Sequence, residues 1–333
     1  MAATKHYDQS FFGCPMRIVV SGSIAYDYLM SFPGRFTDQI ITEKLTRLSV
    51  SFLVEDMVRQ RGGTAANIAY SLKLLGGDPI LFGTVGQDFG DYKAWLDQHG
   101  INTDHVVEVP TKFTASFFVS TDEEQNQIAN FYAGAMSDCR DVTLADQGLI
   151  DADVVIISPN DPQAMLNFAS ECRDLGVPFA YDPSQQTARL SGEDLRESIP
   201  GAAWLMVNDY EMAVIENKTG WSRQTILQEV GTLVVTEGRA GSLIYHEGQE
   251  FHIPIAPPLK VAEPTGAGDA YRGAYFAAYS AGLPVDVCGR VGSLCATYVL
   301  EQFGTTNHQF TPQEFALRYE QTFGEELLWG EPA

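Results

Sequence analysis

The sequence predicts an α/β fold: a doubly wound, mostly parallel sheet flanked by helices, with a small β-sheet lid. Three observations predict it. Short apolar runs bounded by glycine and polar residues alternate with helical stretches, the rhythm of a parallel sheet covered on both faces. The length of 333 residues and a hydrophobic content of 45% suit one large domain with a real core. Two separate regions break the alternation and carry period-two patterning instead.

Taken in order, residues 17–22 (RIVVSG) read as a buried strand closed by glycine. Thr64 to Leu75 reads as a helix with Ala65, Ile68, Ala69, Leu72 and Leu75 on one face, ended by Gly76-Gly77. PILFGTVG (79–86) is a strand, and DFGDYKAWLDQHG (88–100) a helix ending at Gly100. Further strands are expected at 153–158, 177–182, 203–208 and 232–238. A small-residue helix begins at Ala270 and continues through Gly273, Ala274, Ala277, Ala278 and Ala281. The irregular regions are about 28–61, with a strand-like LSVSFLVEDMV (48–58), and 112–133. In the latter, Phe113, Ala115, Phe117 and Val119 share one face, and Thr114, Ser116, Phe118 and Ser120 the other. NQIANFYA follows after the polar turn TDEEQ, as in a hairpin with one apolar face. The two regions are expected to pair as a small sheet, used as a lid or as a dimer surface. Residues 1–333 then form one domain, with the lid contributed by about 28–61 and 112–133. The acidic end, Gly324 to Ala333, is expected to be loosely held.

Composition excludes several functions. The formal net charge of −22, from 21 basic and 43 acidic residues, repels nucleic acid and anionic membranes. An anionic substrate therefore needs local help from backbone amides or a metal ion. The five cysteines (Cys14, Cys139, Cys172, Cys288, Cys295) have no C-x-x-C spacing and read as reduced core thiols of a cytoplasmic protein. The six histidines lack metal-ligand spacing. No span approaches 18 apolar residues, and the start, with Lys5, His6 and Asp8, has no signal-peptide-like apolar stretch. The chain has no Gly-Lys dipeptide for a Walker A loop and no H-R-D loop. After Gly266 and Gly268, position 271 is tyrosine, against a dinucleotide-binding G-x-G-x-x-G.

The remaining motifs form a constellation. Glu263-Pro264-Thr265-Gly266-Ala267-Gly268-Asp269-Ala270 bares backbone N–H groups at a helix start, a ready anion site. A carboxylate there makes chemical sense if it takes a proton from a group attacking the anion, as in phosphoryl transfer to an alcohol. Gly22-Ser23-Ile24-Ala25-Tyr26-Asp27 ends the first strand with a carboxylate, and Gly62-Gly63-Thr64-Ala65-Ala66-Asn67 places two glycines before a helix. Asn208-Asp209-Tyr210-Glu211 ends a strand and opens a helix; Thr236-Glu237-Gly238 follows another strand, with Gly241-Ser242 next. Each falls near a strand C-terminus or a helix N-terminus, where open α/β sheets bind ligands. Taken singly, Asp27 reads equally as a turn residue, Asn67 as a helix-interior hydrogen bonder and Asn208 as an N-cap.

With Gly62-Gly63…Asn67 and the TGAGD segment as its two signature regions, the chain resembles the ribokinase-like (PfkB) carbohydrate and nucleoside kinases over about residues 17–320. The resemblance implies an ATP-dependent, Mg2+-dependent phosphotransferase with a ribokinase-like fold. It implies Asp269 as general base, and Gly266, Ala267 and Gly268 as the anion hole for the transferring phosphoryl. It implies Asp27, Gly62, Gly63 and Asn67 at the sugar hydroxyls. Asn208 and Glu211 match a magnesium–phosphate motif, Glu211 acting through water. Thr236, Gly238 and Gly241 match the nucleotide-binding turn. Where many members have Asp-Thr-Thr, this chain has Glu263-Pro264-Thr265. Glu263 is then the candidate ligand of a monovalent cation, K+. Where some sugar-specific members carry a carboxylate before Ser158-Pro159, this chain has Ile157.

The lid aromatics Phe113, Phe117, Phe118, Phe131 and Tyr132 suit a flat base better than a free sugar, or else pack the lid on itself or a partner subunit. Phe117 and Phe131 are the candidate base contacts. GSIAYD, GGTAAN and NQIANFYAGAM are similar to bacterial adenosine/nucleoside kinases of the family. The first expectation is phosphorylation of a ribonucleoside, adenosine foremost, at its 5′-hydroxyl. The alternative is a kinase of ribose, fructose or a related sugar; a more distant one is a non-catalytic nucleoside- or sugar-binding regulator. The expected assembly is a monomer, or a homodimer through the lid.

Overall fold

The computed structural model describes residues 16–40 and 49–329. Cys14, the Lys5–Asp8 segment and the last four residues lie outside it, as do residues 41–48 of the first irregular region. In chain order the elements are β1 (Ile18–Ser21), β2 (Ala25–Ser31), α1 (Phe36–Gln39), β3 (Asp56–Gly62), α2 (Thr64–Leu74), β4 (Pro79–Gly86), α3 (Gly90–Gln98) and β5 (Val106–Val109). Then come β6 (Ala115–Thr121), β7 (Gln127–Tyr132), β8 (Val154–Ile157), α4 (Pro162–Leu175), β9 (Phe179–Tyr181), α5 (Gly192–Ser198) and β10 (Trp204–Asn208). The last are α6 (Asp209–Thr219), α7 (Arg223–Glu229), β11 (Thr232–Thr236), β12 (Ser242–His246), β13 (Gln249–Ile253), α8 (Ala267–Ser280), α9 (Val285–Leu300) and α10 (Pro312–Phe323).

Among the described residues, nine strands form the large sheet in the order β13-β12-β11-β10-β9-β8-β1-β4-β5. It is parallel except for the edge formed by β11, β12 and β13, which pair antiparallel. Side chains alternate across it, as strand geometry requires. Ile18 and Val20 of β1 join a core beneath α2, α8 and α9, whereas Val19 joins a second core beneath α4 to α7. The chain leaves β1 toward β4 on one side and returns to β8 on the other. That reversal is where an open α/β sheet leaves a crevice at its strand C-termini.

The two irregular regions pair as a four-stranded sheet, β3-β2-β6-β7, with β2 and β6 parallel and both outer pairings antiparallel. Three expectations change here. Strand β2 starts at Ala25, so Asp27 belongs to the smaller sheet instead of ending the first strand. In LSVSFLVEDMV only Asp56 onward is a strand; residues 49–55 are not. The acidic end is not loose as far as Trp329: Leu327 and Trp329 are buried in the core. Cys139, Cys172, Cys288 and Cys295 are free and buried, and burial pushes their thiols up, Cys172 to about 12, as expected of inert core cysteines. No described helix is long and apolar enough to cross a membrane.

Candidate active site

A cleft of about 830 Å3 opens between the smaller sheet and the C-terminal ends of the parallel strands. Asp27, Gly63, Asn67, Phe117, Phe131, Asn208, Glu211, Thr236, Gly238, Gly266, Gly268 and Asp269 all line it. Strand register explains the wall on the smaller sheet. Asp27 of β2 pairs with Phe117 of β6, which pairs with Phe131 of β7, so one row across three strands presents a carboxylate beside two aromatic rings. Phe118 points the opposite way and stacks on Tyr28 at 4.7 Å.

The Gly62-Gly63 turn joins this sheet to the main one. Gly63 has φ +95°, and a Cβ there would lie 2.5 Å from the Ser23 carbonyl oxygen. Only glycine fits. No side chain of its own segment caps α2. Ser23 does so from 41 residues away: its Oγ accepts from the Thr64 N–H at 3.0 Å, satisfying a helix-end donor. Gly62 lies under Asp27, whose Oδ2 is 2.3 Å from where a Cβ would stand.

Helix α8 then meets α2. Gly273 makes this possible, because a Cβ there would lie 2.4 Å from the Ile68 carbonyl oxygen. The close approach brings Asn67 to Asp269: Asn67 Nδ2 donates to Asp269 Oδ2 at 2.8 Å. Thr305 Oγ1 donates to Asn67 Oδ1 at 2.8 Å and fixes the amide's orientation. Asn67 thus holds the carboxylate as well as facing the cleft. Gly266 is the N-cap of α8 in the left-handed region (φ +83°), and no side chain caps this end. The Ala267 N–H donates to the Pro264 carbonyl oxygen at 3.3 Å, whereas the Gly266 and Gly268 N–H groups have no hydrogen-bond partner among the described residues and are available to an anion.

Asn208 and Glu211 form a reciprocal capping box on α6. Glu211 N–H donates to Asn208 Oδ1 at 2.7 Å, and Asn208 N–H donates to Glu211 Oε2 at 2.8 Å. Among the described residues no hydrogen bond engages Glu211 Oε1. Thr236, Gly238 and Gly241 turn from β11 to β12 and border a second cavity of about 720 Å3. This cavity shares Thr236, Gly238 and Gly268 with the first and has an apolar wall of Ile255, Val261, Ala296 and Leu300. The two cavities adjoin along these shared residues, the second being the more apolar. Glu263 turns its Oε2 to accept from the Gly304 N–H at 2.9 Å. Among the described residues no cluster of three or more His, Cys, Asp or Glu side chains could hold a metal ion alone.

Burial tunes the carboxylates. It raises Asp269 from 3.8 to about 6; the Asn67 bond and Arg272 oppose the rise and Glu211 adds to it. Burial also raises Asp27 to about 6, with Glu263 and Asp269 contributing. A base whose proton affinity sits just below neutrality is ionised at pH 7 yet accepts a proton readily.

Sequence reasoning missed Thr305, Met136, Pro159, Gln186 and Arg272, which also line the cleft. Thr305 has no local signal, since it meets Asn67 across 238 residues. Arg272 had one: it lies one helical turn beyond Asp269. Ile157, the residue before Ser158-Pro159, is fully buried in the core beneath α4 to α7. Of the five lid aromatics, Phe117 and Phe131 reach the cleft.

Residues 24–312 match the profile of the pfkB family carbohydrate kinases. The chain belongs to this family. It is a phosphotransferase with an alcohol acceptor, and its fold is ribokinase-like. It is similar to a nucleoside kinase of Methanocaldococcus jannaschii, 29% identical over 86% of this chain and 91% of the relative. The solved structure of Burkholderia thailandensis nucleoside kinase in complex with inosine is 35% identical and superposes with a TM-score of 0.80, covering 93% of this chain and 99% of that one. The crystal structure of the Methanocaldococcus jannaschii nucleoside kinase gives a TM-score of 0.81 at 28% identity, over 92% and 98% of the two chains.

Proposed function

We propose that this pfkB-family kinase transfers the γ-phosphoryl group of ATP to the 5′-hydroxyl of a ribonucleoside, with adenosine as the first acceptor to test. The observation that carries the reading is the row Asp27–Phe117–Phe131 in the cleft that also holds Asp269. A carboxylate accepts two hydroxyl donors, so Asp27 suits a vicinal ribose diol. The adjacent rings suit a planar base, which a free sugar lacks. The similarity to nucleoside kinases, one of them bound to inosine, supports the same acceptor class.

In this reading the smaller sheet is a lid over the acceptor, and a single kinase domain spans the chain. Asp269, held by Asn67, takes the proton of the attacking hydroxyl. The N–H groups of Gly266 and Gly268, with Ala267 between them, stabilise charge on the transferring phosphoryl. ATP lies in the groove past Thr236, Gly238 and Gly241, its base in the apolar slot. Glu211, with its free Oε1 and the Asn208 cap behind it, fits a Mg2+ held mainly by phosphates and water. Bound there, the ion neutralises phosphate charge. Glu263 is the candidate site for K+, tested by comparing turnover in potassium and choline salts.

The decisive experiment is an ADP-release assay with Mg-ATP over adenosine, inosine, guanosine, cytidine, ribose and fructose. Turnover of nucleosides with poor turnover of free sugars is expected. Turnover on free sugars alone would overturn the nucleoside reading. Nucleoside binding without any turnover would favour a regulator.

A further inference from the structure

Arg272 is only 6% exposed, yet it lines the cleft. Its Nη2 donates to Asp182 Oδ1 at 2.7 Å, and its Nε lies 2.6 Å from Asp182 Oδ2, an ion pair just past the end of β9. Nη2 also reaches the Met206 carbonyl oxygen at 3.4 Å. The Nη1 group has no hydrogen-bond partner among the described residues. It lies against the first turn of α8, 2.7 Å from where a Cβ on Gly268 would stand. Gly268 therefore does two things: it bares the backbone at the anion site, and it leaves room for a guanidinium nitrogen beside it.

Two physical arguments give this arrangement a purpose. An ion pair buried in low dielectric is a poor stability device, because desolvation offsets most of its attraction. Burial works against the charge on Arg272, but Asp182, Glu211 and Asp269 together outweigh it, so the guanidinium stays charged. Besides, a guanidinium fixed on one edge by a carboxylate presents its remaining N–H groups in a set direction, without entropy left to lose. Here that direction is the helix N-terminus where an anion is stabilised.

We propose that Arg272 is a catalytic phosphoryl-binding residue, whose Nη1 donates to a non-bridging oxygen of the transferring group, with Asp182 as the residue that positions it. During transfer the acceptor oxygen forms its bond to phosphorus and gives its proton to Asp269. The bond from phosphorus to the bridging oxygen breaks, and its electron pair leaves with the nucleoside diphosphate. Charge on the equatorial oxygens is met by the α8 amides on one side and by Nη1 on the other. This rests on the kinase reading, but not on the identity of the alcohol.

The test is the paired substitution Asp182→Asn with Arg272→Met, which removes both buried charges and avoids stranding one. The expected result is a folded protein by circular dichroism, acceptor KM within about threefold of wild type, and kcat lower by about 10²–10³-fold, as for loss of one such donor. A folded variant with kcat within about threefold of wild type overturns the proposal. Should the pair not fold, Arg272→Lys keeps a charge for Asp182 but loses the fork. The proposal then expects kcat down at least about 10-fold with acceptor KM unchanged; unchanged kcat overturns it. Both variants are measured with whichever alcohol the wild type phosphorylates, so failure of the nucleoside reading leaves this test standing.

Discussion

Replacing Asp269 with asparagine should lower activity and raise stability at once. The substitution keeps size and shape, and the new Oδ1 can still accept the Asn67 bond now 2.8 Å long. What it removes is the proposed proton acceptor. General-base catalysis contributes about 10²–10⁴ in rate, or about 3–5 kcal/mol of barrier. Turnover should fall at least about 10²-fold with nucleoside affinity retained. The stability effect follows from burial, which raises this carboxyl from 3.8 to about 6. A raised acid binds its proton more tightly in the folded state than in the unfolded chain. Wild-type stability therefore falls as pH rises from about 4 to 6 on this account and is level above 6. A rise from 3.8 to about 6 corresponds to about 3 kcal/mol at most, which partial exposure to the cleft lowers to about 1–3. The asparagine variant lacks this loss. Urea unfolding at pH 4.5 to 8 should show the variant gaining on wild type up to pH 6, then a constant difference. Near-normal turnover in the ADP-release assay would refute the base assignment. A stability difference independent of pH would refute the electrostatic reasoning.

Asp27→Asn should raise the acceptor KM by about 10–100-fold, the worth of a hydrogen bond to a charged group, with a smaller effect on kcat. Because Asp27 and Asp269 both ionise near 6, log kcat/KM for wild type should fall with a slope near two below that pH, and log kcat with a slope near one once the bound diol holds Asp27 ionised; initial rates from pH 5 to 8 decide it. Gly63→Ala places a Cβ 2.5 Å from one backbone atom and 2.7 Å from others at φ +95°, so a stability loss above about 1–3 kcal/mol is expected in a thermal melt, with the Asn67–Asp269 pair displaced. Glu211→Gln can keep the capping bond through its amide oxygen, so the melting temperature should hold while the magnesium concentration for half-maximal rate rises several-fold; an unchanged magnesium titration would remove Glu211 from that corner.

Local chemistry was legible in this sequence, and long-range register was not. The buried runs at 79–86 and 203–208 announce themselves because a parallel strand covered on both faces needs unbroken apolar residues. The glycines at 63 and 266 are legible because their backbone conformations exclude other residues. The hairpin at 242–253 escaped notice because an edge strand mixes polar and apolar residues, as its half-exposed pattern shows. In the site, Asp269 and Asp27 could be named from their motifs. That Asp27 stands in register with Phe117 and Phe131 depends on a parallel pairing between segments ninety residues apart, which no periodicity encodes. That Ile157 faces the core beneath α4 to α7 was hidden for a related reason: strand position does not reveal which face a residue takes until the sheet is assembled.

The apparent contradiction of a carboxylate at an anion site resolves once the charges are followed through the reaction. The cleft of this acidic chain carries Asp27, Asp209, Glu211 and Asp269 against Arg189 and Arg272. Left to burial and like charge alone, Asp269 would take up a proton early and be useless as a base. Asn67 and Arg272 oppose this by favouring its ionised form, while Arg272 makes its own hydrogen bond to Asp182. An arriving phosphoryl group draws on the same cation. On the proposed reading, as the group engages Arg272 and adds its own negative charge, Asp269 would become a stronger base at the moment the hydroxyl must lose its proton. Repulsion between base and phosphate is then a driving force: it is relieved when the proton is transferred. A base used in this way has to sit within range of the anion, and Asp269 is the third residue of the helix proposed to bind it.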